Sequence, residues 1–83
     1  MTKNIAITQE QLDKISDDFQ STFTILKPNL IANMFSADEI PRVSEIIKKH
    51  LGDVFLDFCK TGQLGQDEPY DIYYIRVGEY DRH

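Results

Sequence analysis

SADEIPRVSEIIKKHLGDVFLDFCKTG, Ser36 to Gly62, is the longest stretch with large apolar side chains at helical spacing, and whether it forms one element or two decides the fold. Ile40, Val43, Ile47, Leu51, Val54 and Phe58 recur at steps of three or four residues. A period of 3.6 places them along one stripe, with Ile46 and Phe55 beside it. Ser36 and Glu39 have the spacing of a capping box, and Phe35 ahead of the cap can staple onto Ile40. Gly62 past the last repeat position, with Lys60 in the last turn, suits a glycine C-cap. Two residues disturb this pattern. Pro41 removes one intrahelical bond, so the true helix can begin there. Gly52 before Asp53 either closes one helix and caps another or sits inside a single helix at a cost of about 1 kcal/mol relative to alanine. The spacing favours one long helix, bent or weakened near Gly52. Leu56 is the residue that does not fit, because on a continuous helix it points away from the stripe.

Toward the N-terminus, Thr8 and Gln11 repeat the capping-box spacing with Ile7 as the staple onto Leu12, which predicts a helix starting at Gln9. Leu12, Ile15, Phe19, Phe23 and Leu26 form its apolar stripe, and Glu10, Asp13 and Asp17 lie together on the opposite face. Ser21, Thr22 and Thr24, then Lys27 before Pro28, end it between Thr22 and Leu26. Pro28 can open a short linking helix over Asn29 to Met34, with Met34 filling the core. Residues 1–7 read as a short strand or arm, from the alternation of Ile5 and Ile7.

Toward the C-terminus, the polar run QLGQDEPYD leads into YDIYYIRV, Tyr70 to Val77, a strand by its β-branched and aromatic content between Pro69 and Gly78. Tyr73, Ile75 and Val77 share one side, and Tyr70, Ile72 and Tyr74 the other. Both sides carry apolar bulk, so neither reads as solvated. The strand needs a neighbour along its edge, which the N-terminal strand or a second copy of the same strand about a two-fold axis can supply. Residues 78–83 read as a frayed tail. The expected fold is a single α+β domain over 1–83: two main amphipathic helices, a short linking helix, a C-terminal strand and a short N-terminal strand.

Composition bounds the function. Eighty-three residues with 41% hydrophobic content suffice for one folded core, and a chain of this length has a thin stability margin. A formal charge of −5 argues against direct nucleic-acid binding and against an anionic membrane, and points to a basic protein as partner. The single cysteine, Cys59, closes no internal disulfide, and no apolar run is long enough to span a bilayer, so the expected location is cytoplasmic. His50 and His83 match no ligand spacing with Cys59, and Asp67, Glu68 and Asp71 depart from a calcium loop, so neither a metal nor a cofactor is implied. No glycine-rich phosphate loop and no nucleophile with an orienting base can be read. What remains is surface character. Aromatic anchors set among charge are typical of protein-binding patches, which singles out Tyr70, Tyr73, Tyr74 and Tyr80 with Asp67, Glu68 and Asp71, and the acidic helix face of Glu10, Asp13 and Asp17. The expected function is a non-enzymatic acidic adaptor or inhibitor that docks on a basic protein, in its strongest form by presenting carboxylates in place of phosphates. The alternative is a self-associating subunit, a homodimer formed through the C-terminal strand.

Overall fold

The structure is a computed structural model that describes residues 3–63, 65, 67 and 69–79, with side chains from Ile5 onward. Its elements in order are β1 (Lys3–Asn4), α1 (Gln9–Phe19), β2 (Thr24–Lys27), β3 (Leu30–Phe35), a 3-10 turn (Ala37–Glu39), α2 (Ile40–Leu51), β4 (Val54–Gln63) and β5 (Asp71–Glu79). Every strand pairing is antiparallel. β4 pairs with β5 along its whole length, from Val54 opposite Glu79 to Gln63 opposite Asp71. β3 pairs with residues 71–76 of β5 and β1 with residues 78–79. A strand has two edges, so β1 and β3 must share the one that β4 leaves. The sheet is therefore four strands wide, ordered β4, β5, β3 with β1, and β2, and β5 is central.

The class is α+β as expected, but the expected elements undercount the strands. The long helix ends at Leu51, and the stretch after Gly52 is strand β4 rather than its continuation. The linking helix over Asn29 to Met34 is replaced by strand β3, joined to β2 by a tight turn at Pro28 and Asn29. Residues 24–27, expected at or beyond a helix end, form β2. The neighbour along the edge of the C-terminal strand is not a second copy: both edges of β5 are filled within the chain. Gly78 and Glu79, placed in the frayed tail, are instead paired with β1.

Local chemistry explains the ends of the helices. Thr8 Oγ1 accepts from the Gln11 backbone N at 3.1 Å while Gln11 Oε1 accepts from Thr8 N at 3.0 Å, so α1 starts on a closed capping box. It stops at Gln20, which takes left-handed angles of φ 57° and ψ 43°, earlier than the run of serine and threonine alone suggests. Glu39 accepts from both the backbone N and the hydroxyl of Ser36, at 3.3 and 3.1 Å, so the second capping box holds the 3-10 turn from which α2 emerges with Pro41 in its first turn. Gly52 ends α2 with φ 87° and ψ −161°, a region open in practice to glycine alone.

Both helices lie on one face of the sheet. Alternation along β5 turns Tyr73, Ile75 and Val77 toward them, with Ile31 and Phe35 of β3 and Val54 of β4, against Leu12, Ile15 and Phe19 of α1 and Val43 and Ile47 of α2. Phe35 is the hub of this core. Its ring stacks on Tyr73 at 4.6 Å between centroids and meets Phe19 and Phe58 edge-on at 6.1 Å each. Asn33 also points inward and is 8% exposed; its Oδ1 accepts from the Ser21 hydroxyl at 3.1 Å, tying the turn after α1 to the sheet.

Gly52→Ala separates the two readings of the central stretch by sign. At these backbone angles a Cβ meets no neighbouring atom within 4 Å, so only the backbone strains, and the variant loses about 1–3 kcal/mol in urea unfolding. Inside a continuous helix the same change would gain about 1 kcal/mol.

Candidate functional site

The face of the sheet away from the helices has no layer over it among the described residues. Residues opposite each other in an antiparallel ladder project to the same side, so the registers of β3, β5 and β4 define three rows on this face. They are Leu30, Arg76 and Asp57; Ala32, Tyr74 and Cys59; and Met34, Ile72 and Gly62. Met34, Tyr74 and Ile72 are 42%, 37% and 36% exposed, which is high for apolar side chains standing next to one another in a sheet. Phe55 extends the face along β4, and Lys27 stands at its corner beside the turn from β2 to β3.

A shallow depression of about 340 Å³ runs from the central row to one end of the face, lined by Leu30, Asp57, Cys59, Tyr74 and Arg76. Met34 and Ile72 stand at the other, with only the glycine Gly62 beside them in their row. Arg76 Nη2 donates to Asp57 Oδ2 at 3.0 Å, so the two charged residues that line the depression are paired with each other.

Of the residues expected to bind protein, the structure brings some together and separates the rest. Tyr74 is central to the open face, and Tyr70 is exposed at the entry to β5. Tyr73 is 6% exposed and stacked on Phe35, so it belongs to the core and is withdrawn from the surface set. Asp71 is half-buried and receives Lys60 Nζ at 3.3 Å; Asp67 is exposed in the loop. Glu68 and Tyr80 lie outside the described residues. Glu10, Asp13 and Asp17 are exposed on α1, where Glu10 pairs with Lys14 at 3.4 Å and Asp13 accepts from Gln9 at 2.9 Å. That helix covers the opposite side of the sheet, so the acidic stripe and the exposed tyrosines do not form one patch. Met34, expected to fill the core from a linking helix, stands on this face instead, and so does the exposed Cys59. The period-2 spacing of Val54, Leu56 and Phe58 in β4 is the signal that would place Cys59 on the opposite side; in β3 the polar Asn33 interrupts the corresponding alternation.

The helix layer carries its own charge pattern. Asp18 at the end of α1 meets the end of α2, with Oδ2 2.6 Å from His50 Nε2 and 3.2 Å from Lys49 Nζ. An ionised carboxylate can only accept, so Nε2 carries the proton in this contact. The hydrogen bond from His50, then the one from Lys49, holds the Asp18 carboxyl below the usual aspartate range. A shallow hollow of about 350 Å³ beside it is lined by Asp18, Arg42, Glu45, Ile46 and Lys49, two acids against two bases. Among the described residues no group of three or more His, Cys, Asp and Glu is placed to hold a metal ion, and no helix is long and apolar enough to cross a membrane. In comparisons with protein-family models, with curated proteins and with solved structures, the chain matches none.

The link between α1 and α2 has a defined pH dependence. The folded-state value of Asp18 lies below its unfolded value, so its contribution is present above the unfolded value near pH 4 and is lost as pH falls through the folded one. The melting temperature of the native protein should exceed that of Asp18→Asn at about pH 5 and converge with it toward about pH 2.

Proposed function

We propose that this protein is a non-enzymatic protein-binding module that docks through the open face of its sheet. The observation that supports this most is the side-by-side exposure of Met34, Ile72 and Tyr74 on a face that neither helix covers. A sheet in a two-layer domain buries one face and solvates the other, and the solvated face ordinarily alternates to polar residues. Here it does not. An aromatic and two flexible or branched apolar groups beside a neutralised Arg–Asp pair match the composition of interface centres, where charge is depleted and Tyr and Met are enriched.

A second reading keeps the acidic helix as the docking element for a basic adaptor target, supported by the exposed stripe of Glu10, Asp13 and Asp17. The two readings place the interface on opposite sides of the molecule, so one experiment divides them. Tagged protein is used to capture its binding partners in parallel with Ile72→Asp and with the triple reversal Glu10→Lys, Asp13→Lys and Asp17→Lys. The sheet-face reading expects capture to be lost with Ile72→Asp and kept by the triple variant at both low and high salt. Loss only in the triple variant, with steep salt sensitivity in the native protein, would establish the acidic helix instead.

A further inference from the structure

We propose that the occupant of the open face is the same face of a second copy, related by a two-fold axis that runs across the strands through the row of Ala32, Tyr74 and Cys59. This rests on the reading of that face as the docking surface, and goes further in naming what docks.

Charge is the first argument. The described charged positions of this face are Asp57 and Arg76, which pair with each other at 3.0 Å, and Lys27 at the corner. The acidic excess of a chain with formal charge −5 is therefore carried by other residues. Two copies meeting through α1 would set Glu10, Asp13 and Asp17 against their own equivalents. Through the sheet they meet without acidic repulsion, so a second copy is compatible with this face and not with that one.

Shape is the second. An isologous interface must complement itself, because the same patch supplies both sides. An axis across the strands reverses strand direction between the copies. The end of one that bears Met34 and Ile72 then lies over the end of the other that bears Leu30, Arg76 and Asp57, where the depression opens. The same operation keeps like charges apart, since the end bearing Lys27, Asp57 and Arg76 faces the uncharged end. Ala32, Tyr74 and Cys59 of the central row lie along the axis, each opposite its own equivalent.

Area is the third. Nine residues of β5 at ~3.3 Å each and four strands at ~4.8 Å spacing give a face of roughly 500 Å². Two such faces reach about 1,000 Å², the lower limit for a specific interface, so the whole face is needed and the dimer should dissociate on dilution. Sheets packed face to face lie about 10 Å apart, which gives a four-layer assembly with helices outside and two sheets within.

The chain's one cysteine provides the test. In this arrangement the two Cys59 residues face each other across the sheet gap, too far for a disulfide but within reach of a short bis-maleimide. Light scattering across a dilution series should give a mass approaching twice 9.6 kDa at high concentration and 9.6 kDa at low, with no loss of dimer at high salt. Bis-maleimide should join two chains at high concentration. Ile72→Asp and Met34→Glu, each at an exposed position, should both remain monomeric and uncrosslinked with an unchanged far-UV circular dichroism spectrum. A native protein that stays at 9.6 kDa throughout overturns the proposal; if Ile72→Asp still abolishes capture of a different protein, the docking face stands with another occupant. A dimer that survives either variant, dissolves at high salt, or resists crosslinking at Cys59 places the interface elsewhere and also overturns it.

Discussion

The antiparallel pairing of β5 on both of its edges is the constraint from which the rest of the structure follows. Because β4 fills one edge and β3 with β1 the other, every residue of β5 is fixed in register, and its alternation is committed to two sides. Tyr73, Ile75 and Val77 must point one way and Ile72, Tyr74 and Arg76 the other. The first set is buried, at 6%, 0% and 0% exposure, and the helices lie over it. The second is left on the surface by the same geometry. A slip of one residue would exchange the two sets, burying Arg76 and exposing Ile75, and the aliphatic core would not tolerate it. The exposed apolar face is thus a consequence of how the core is built.

The helices reach their positions through chain ends more than through length. α1 and α2 are three turns each, too short to be stable alone; α1 begins on a reciprocal side-chain cap, and α2 emerges from a 3-10 turn in which Glu39 accepts from the backbone N and hydroxyl of Ser36. Their far ends are joined where Asp18 meets Lys49 and His50. This contact unites an acidic helix with one whose last turn is basic, so the helix layer answers part of its own charge internally. Phe35, reached by both Phe19 and Tyr73, couples that layer to the sheet.

The parts of this fold that were legible in the sequence are those with chemistry specific to one position. Both capping boxes, Pro41 near the start of α2 and the β-branched run of β5 could be read directly, and so could the two sides of β5. The parts that were not share one ambiguity. Residues four apart coincide on a helix and also on a strand, where the period is two, so Val54 with Phe58 and Ile31 with Phe35 satisfy both patterns. The residue midway between decides. Leu56 falls on the same side as Val54 and Phe58 only in a strand, and its misfit to the helical stripe was the sign of β4. In β3 that midway residue is Asn33, whose polarity concealed the alternation because its inward orientation depends on a hydroxyl from Ser21, twelve positions away. Surface assignment failed for a related reason. Tyr73 and Tyr74 are equivalent as residue types, and only knowing which side the helices cover separates a core ring from an exposed one.

The proposed docking face and the acidic stripe lie on opposite sides of the molecule. Acidic side chains on α1 favour solubility through like-charge repulsion between molecules, which is effective only if they remain in water. An apolar face beside them would lose specificity if the two were mixed, since any interface covering the acids would also have to desolvate them. On the proposed reading, placing the helices between the acids and the sheet would confine the desolvation cost of docking to a face whose Asp57 and Arg76 are already paired. That pair is half-exposed and contributes little to folding on its own. Its consequence is for association, because a partner covering the depression meets a dipole rather than two separate ions, and the apolar groups around it supply the driving force.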